Sequence, residues 1–183
     1  MEAPSQMLEN WVWQPEVLKR LSGLNGDASK PLTKELLDQM IAARDFQQGY
    51  FYTKQLLYGT FDIAIHSAEG PVSSNTVYEN LYKSIMGQDV IPGQMFPASF
   101  GHLMGGYDAG YYGYMWSKVY AQDMFSKFKQ AGVLSPAMGD HYRRTILEYG
   151  NMKDALVLLN DFLERAPNND AFYADLHIKP DAK

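Results

Sequence analysis

Glu2 and Glu9 stand seven residues apart with Gln6 between them, so on a helix they share one face across two turns. Two carboxylates on one face suit a metal ligand and a carboxylate that braces it. By spacing alone, a solvated acidic edge is the commoner meaning of such a pair. Metal-dependent hydrolysis needs imidazoles and a carboxylate around the ion, an open position for water, and a base to take that water's proton. The local way to place two imidazoles is histidine at i and i+4 of one helix, the H-E-x-x-H arrangement. The chain has four histidines, His66, His102, His141 and His177, and no two lie within one helical turn. It cannot build that centre locally.

A second concentration of reactive side chains lies between Phe96 and Tyr114, where five glycines and four tyrosines accompany His102. A phenol beside a scissile carbonyl can donate a hydrogen bond to a developing oxyanion, and an imidazole can do the same. Glycines around them let a loop close over a ligand. The segment is too rich in glycine for a regular helix and too aromatic for a solvated linker, which predicts a structured loop. The plain alternative is aromatic packing in a core. His66, His141 and His177 have no recognisable partners in the sequence, and the methionines and aromatics elsewhere read as core.

Helices must carry these groups. Met7, Leu8, Trp11, Val12, Leu18 and Leu21 recur at helical spacing around Gln14-Pro15, which predicts two short helices ending near Gly23 and Gly26. From Thr33, an N-cap type, apolar positions continue to Ile65 and predict one long helix to about His66, bent at Gly49 or Gly59. After a loop over 70–75, Val77, Leu81 and Ile85 mark a short helix closing at Gly87. Beyond the Gly/Tyr loop, a helix from Tyr112 runs to Gly132, a second opens at Pro136 and a third covers 153–165, with an irregular tail after Asn168. No sustained alternation, heptad or repeat interrupts this pattern, so the fold class is all-α.

The 183 residues are 46% hydrophobic and 20% charged, which suits one folded unit rather than a disordered chain. A net charge of −5 with scattered Lys and Arg argues against a nucleic-acid or anionic-membrane surface. No apolar run approaches a membrane span, and the first residues hold no basic stretch followed by an apolar one. With no cysteine there is no disulfide, thiol nucleophile or Cys-type zinc site. This fits a reducing compartment, and a cytoplasmic location is expected.

The stretch Glu2-Ala3-Pro4-Ser5-Gln6-Met7-Leu8-Glu9-Asn10-Trp11 resembles the segment that follows the H-E-x-x-H helix in the thimet oligopeptidase and neurolysin family of zinc metallopeptidases. The resemblance implies that Glu2 is the third zinc ligand and that Glu9 sits just behind the ligands. Phe100-Gly101-His102-Leu103-Met104-Gly105-Gly106-Tyr107-Asp108-Ala109-Gly110-Tyr111-Tyr112-Gly113-Tyr114, within the matching segment 96–116, resembles the family's flexible glycine loop. In that loop a histidine and several tyrosines face the substrate. The corresponding roles fall on His102, Tyr107, Tyr111 and Tyr114: Tyr111 and Tyr114 supply oxyanion or substrate hydrogen bonds, His102 and Tyr107 hold the peptide backbone, and Gly105 and Gly106 let the loop close.

The resemblance covers essentially the whole chain. It implies an all-α, multi-helix C-terminal portion of a zincin-type oligopeptidase catalytic domain, one helical unit over 1–183, acting on short peptides. The chain departs from the family in lacking the H-E-x-x-H helix and the N-terminal half. Zinc therefore belongs to the intact enzyme, and the chain alone is expected to be inactive and to hold no zinc stably. Two functions remain open: part of a zinc metalloendopeptidase that works with the missing N-terminal half, or a non-catalytic helical module that binds peptides or a partner protein. Apolar surface left bare by the absent half predicts a homo-oligomer, most simply a dimer.

Overall fold

The computed structural model describes residues 2–23, 26–27 and 29–179. The helices in chain order are α1 (Ala3–Leu8), leading into a tighter 3-10 turn (Glu9–Trp13), then α2 (Pro15–Leu21), α3 (Lys34–Arg44), α4 (Gln48–His66), α5 (Ser74–Met86) and α6 (Phe96–Ser99). A second 3-10 turn (Gly101–Met104) precedes α7 (Gly113–Ala131) and α8 (Pro136–Tyr142). A wider π turn (Arg143–Leu147) then leads to α9 (Ala155–Leu163) and α10 (Asp170–Asp175). No extended strand occurs among the described residues, and the fold is all-α as the periodicity predicts.

Caps explain most of the boundaries. Thr33 Oγ1 accepts from the Leu36 N–H, and Ser73, Ser135 and Asp154 do the same for α5, α8 and α9. Proline opens α2 and α8, where its missing N–H costs nothing. Two expectations are corrected. The long helix predicted from Thr33 to His66 is two helices, broken at residues 45–47, where Gln47 adopts φ +60°; Gly49 and Gly59 lie inside α4. The break follows Asp45, whose carboxylate accepts from Arg44 Nε at 2.8 Å and lies 3.2 Å from His177 Nε2. The tail after Asn168 is helical from Asp170, because the Asn168 side chain accepts from the Asp170 N–H at 3.0 Å and starts the turn.

The chain forms two compact units, one of Met1–Asp45 with Trp116–Lys183 and the other of Phe46–Met115. In the first, α7 and α9 bury Met124, Phe125, Phe128, Leu158, Leu159 and Phe162 against Met7 of α1. Trp11 packs edge-on to Phe125 and Phe128, both at 4.7 Å, and its Nε1–H donates to the Val133 carbonyl at 2.7 Å. Asp123, fully buried, accepts from Arg165 Nη1 at 2.9 Å, from Arg165 Nη2, and from the Asn168 N–H at 2.9 Å. That carboxylate fixes the chain as it leaves α9. The second unit is centred on Leu57, Phe61, Tyr78, Phe100 and Tyr111.

Tyr142 is buried beside Phe128 and Phe162, and burial pushes its phenol up to about 12. A group whose folded pKa lies above its unfolded value, near 10 for tyrosine, contributes fully below pH 10 and loses that contribution as pH rises towards 12. Tyr142→Phe should therefore lose less stability than the unaltered chain between pH 9 and 12 in urea titrations, while Tyr78, also pushed up to about 12 by burial, keeps its own share. Identical alkaline losses would contradict this.

Candidate functional site

The site grows from one face of α4. Gln55, Gly59, Asp62 and His66 recur three or four residues apart, so they line up along one side of the helix. A Cβ on Gly59 would lie 3.4 Å from the Tyr112 Cα, so the Gly/Tyr loop rests directly on the helix backbone there. Gly106 supplies the left-handed backbone, φ +85°, that the loop needs to reverse. Ala109 adopts φ +54° without being glycine. Fully buried Asp62 accepts from the Ala109 N–H through Oδ1 at 3.0 Å and from the Tyr111 N–H through Oδ2 at 2.9 Å. His66 Nδ1 lies 3.0 Å from the same carboxylate and 2.8 Å from the Asp62 carbonyl.

Held this way, the loop brings together all four predicted aromatic residues. His102 stands edge-on to Tyr107, Tyr111 and Tyr114, with ring centres 5.8, 5.1 and 5.7 Å away. Tyr107 stacks on Tyr114 at 4.9 Å, and Tyr111 meets Tyr114 at 5.0 Å. These four, with Gly105, Tyr58, Phe96 and Phe100, line a recess of about 530 Å³. Sites for small ligands span roughly 300–1,000 Å³, so the recess has room for a few residues of an extended peptide. Its walls can stack on apolar or aromatic groups and carry phenol and imidazole hydrogen-bonding groups.

The tyrosines are not equivalent. Tyr111 is buried, and its hydroxyl donates to Gln55 Oε1 at 3.0 Å. Burial, reinforced by Tyr58 and Tyr114, pushes its phenol above the ordinary value, and the Gln55 bond offsets only part of this. It therefore remains a protonated donor at neutral pH. Tyr107 and Tyr114 are half-buried and His102 is exposed.

Glu2 and Glu9 belong to the first unit. Glu2 occupies the N-cap position of α1, and Ser5 Oγ donates to its carbonyl at 2.9 Å and contacts its carboxylate at 3.2 Å. Glu9 is exposed at the start of the first 3-10 turn. Among the described residues, no three His, Cys, Asp or Glu side chains converge as a metal centre requires, so these residues do not fit a complete zinc site. The remaining histidines have structural partners: His141 stacks on Phe162 and reaches its carbonyl at 3.2 Å, and His177 meets Asp45.

Sequence reasoning missed Asp62, Gln55 and the recess residues Tyr58, Phe96 and Phe100. The one available signal was Asp62 itself, a lone carboxylate between Phe61 and Ile63 in an otherwise apolar stretch.

A family model described as Peptidase family M3 matches residues 1–178. Oligopeptidase A of Salmonella typhimurium is 37% identical over 183 residues, covering 98% of this chain and 27% of that protein. A thimet-like oligopeptidase of Dictyostelium discoideum is 35% identical, covering 94% of this chain and 26% of that protein. Saccharolysin of Saccharomyces cerevisiae is 33% identical, covering 98% and 26%. The chain spans about a quarter of the length of these relatives. No described helix is long and apolar enough to cross a membrane.

Proposed function

From membership in peptidase family M3, to which the chain belongs, we propose that it is the peptide-binding part of a zinc-dependent oligopeptidase that hydrolyses short peptides. The observation that carries this reading is the convergence of His102, Tyr107, Tyr111 and Tyr114 around one recess. The names of the relatives, which describe oligopeptidases, agree with a short peptide as substrate.

His102 and Tyr107 hold the backbone of an extended peptide by hydrogen bonds, and the rings of Tyr58, Phe96 and Phe100 receive its side chains. Tyr114 donates to the carbonyl oxygen as it gains negative charge, a bond worth more in the transition state than in the bound peptide. Tyr111 is the second phenol donor, its hydroxyl resting on Gln55 until it turns to the substrate. Glu2 is assigned as one zinc ligand and Glu9 as the carboxylate behind it. The imidazole pair and the base that activates water are assigned to an H-E-x-x-H stretch of a longer, cytoplasmic protein, since this sequence contains none. The chain by itself is therefore taken to be inactive and to bind no zinc stably.

The test is an assay of the longer protein, with H-E-x-x-H upstream of these residues, on a quenched fluorescent peptide with and without a chelator. A non-catalytic peptide-binding module would share the recess and give no chelator-sensitive cleavage, so the same assay separates the two readings.

A further inference from the structure

Gly/Tyr loops of this composition have little conformational preference of their own, because glycine leaves many backbone states open. Between Gly105 and Gly113 the loop's own backbone bonds are short-range turns: Tyr107 N–H to His102 at 3.3 Å, Gly110 N–H to Tyr107 at 2.9 Å and Gly113 N–H to Gly110 at 3.0 Å. Two amides that reach outside the loop, those of Ala109 and Tyr111, end on one buried carboxylate. One of them belongs to the residue held at φ +54°, a conformation that non-glycine residues avoid. Bonds from N–H groups to an ionised carboxylate are among the stronger hydrogen bonds, and here they act away from water.

We propose that Asp62 is the positioning residue of the peptide-binding loop: its two carboxylate oxygens clamp the Ala109 and Tyr111 amides onto α4 and so set where the Tyr107, Tyr111 and Tyr114 rings stand. The rest of the α4 face completes the cradle. Gly59 lets the backbone of Tyr112 approach, Gln55 takes the Tyr111 hydroxyl, and His66 Nδ1 braces the carboxylate from the next turn. Asp62 does not line the recess, so it acts through the loop and not on a substrate. Its consequence for catalysis rests on the peptidase reading above, whereas the clamp itself does not.

Asp62→Asn keeps the side-chain shape but leaves one acceptor oxygen and turns an NH₂ group towards a loop amide. Amide hydrogen exchange over residues 107–112 is expected to rise about tenfold or more, with exchange in α5 and in the middle of α4 unchanged. Equal increases in those helices would mean that Asp62 holds the whole unit and would overturn the proposal, as would unchanged loop exchange. A measurement on the unaltered chain stands apart from any folding defect of the variant. The Ala109 and Tyr111 amides, resolved by NMR, should exchange as slowly as those in the middle of α4, and exchange near the free rate would overturn the clamp. In the longer peptidase, Asp62→Asn should lower kcat by about tenfold to a hundredfold with KM within about threefold, the pattern of a misplaced transition-state contact. Raised loop exchange with unaltered cleavage would uphold the clamp but remove this loop from the peptidase reading.

Discussion

Tyr114→Phe in the longer peptidase is expected to lower kcat by about a hundredfold and leave KM within a factor of about three. The ring supplies the stacking with Tyr107, and phenylalanine keeps it, so peptide binding should survive. The hydroxyl is what the substitution removes, and a donor aimed at an oxyanion acts mainly once charge has developed. Tyr111→Phe should act in the same direction with a smaller loss in kcat. In the structure its hydroxyl is committed to Gln55, and it must turn from that partner before it can donate to a substrate. Steady-state kinetics on one peptide with both variants tests the order. A KM increase with intact kcat for Tyr114→Phe would make it a binding contact and nothing more.

The largest effect on stability is expected from Phe162→Ala, at about 3–5 kcal/mol in urea denaturation. Phe162 is fully buried, and its ring meets Phe128 at 6.1 Å, Tyr142 at 5.6 Å and His141 at 5.2 Å. Those neighbours come from α7 and α8, so truncation opens a cavity among three helices, and their shared contacts limit how far they can collapse into it. A loss below about 1 kcal/mol would show that the site closes over the missing ring and that this cluster is not the core of its unit.

Local chemistry made the boundaries legible: Thr33 caps the first turn of α3, Pro136 opens α8 where its missing N–H leaves no orphaned donor, and Gly87 closes α5 in a left-handed conformation. The break between α3 and α4 was not legible, because apolar periodicity runs through residues 45–47 and the deciding conformation falls on Gln47, a residue with no preference for positive φ. The contact of Asp45 with His177 joins residues 132 positions apart, and no spacing rule reaches that far. The same limit hid Asp62. Its loop partners lie 47 and 49 residues away, so on its own helix it reads only as a polar interruption.

The Gly/Tyr segment was legible as an ordered, non-linker stretch, although its first part turns out as the short helix α6 and a 3-10 turn, with the loop confined to the residues after Met104. Its aromatic residues do form the wall of a recess. What composition could not show is that one tyrosine is turned inward. Tyr111 is buried with its hydroxyl on Gln55, while Tyr114 is only half-buried. The pairing of Glu2 with Glu9 remains a matter of family resemblance. Spacing puts them two turns apart, and in the structure Glu2 stands at the N-cap of α1 while Glu9 opens the 3-10 turn directly after it.

The most direct measurement is zinc content and peptide cleavage for two samples side by side: this chain alone, and the longer protein that carries H-E-x-x-H upstream. Stoichiometric zinc and chelator-sensitive cleavage of a short quenched peptide are expected in the longer protein, and neither in the chain alone. Stoichiometric zinc with cleavage by the chain alone would contradict this, as would a longer protein that binds zinc and leaves every short peptide intact.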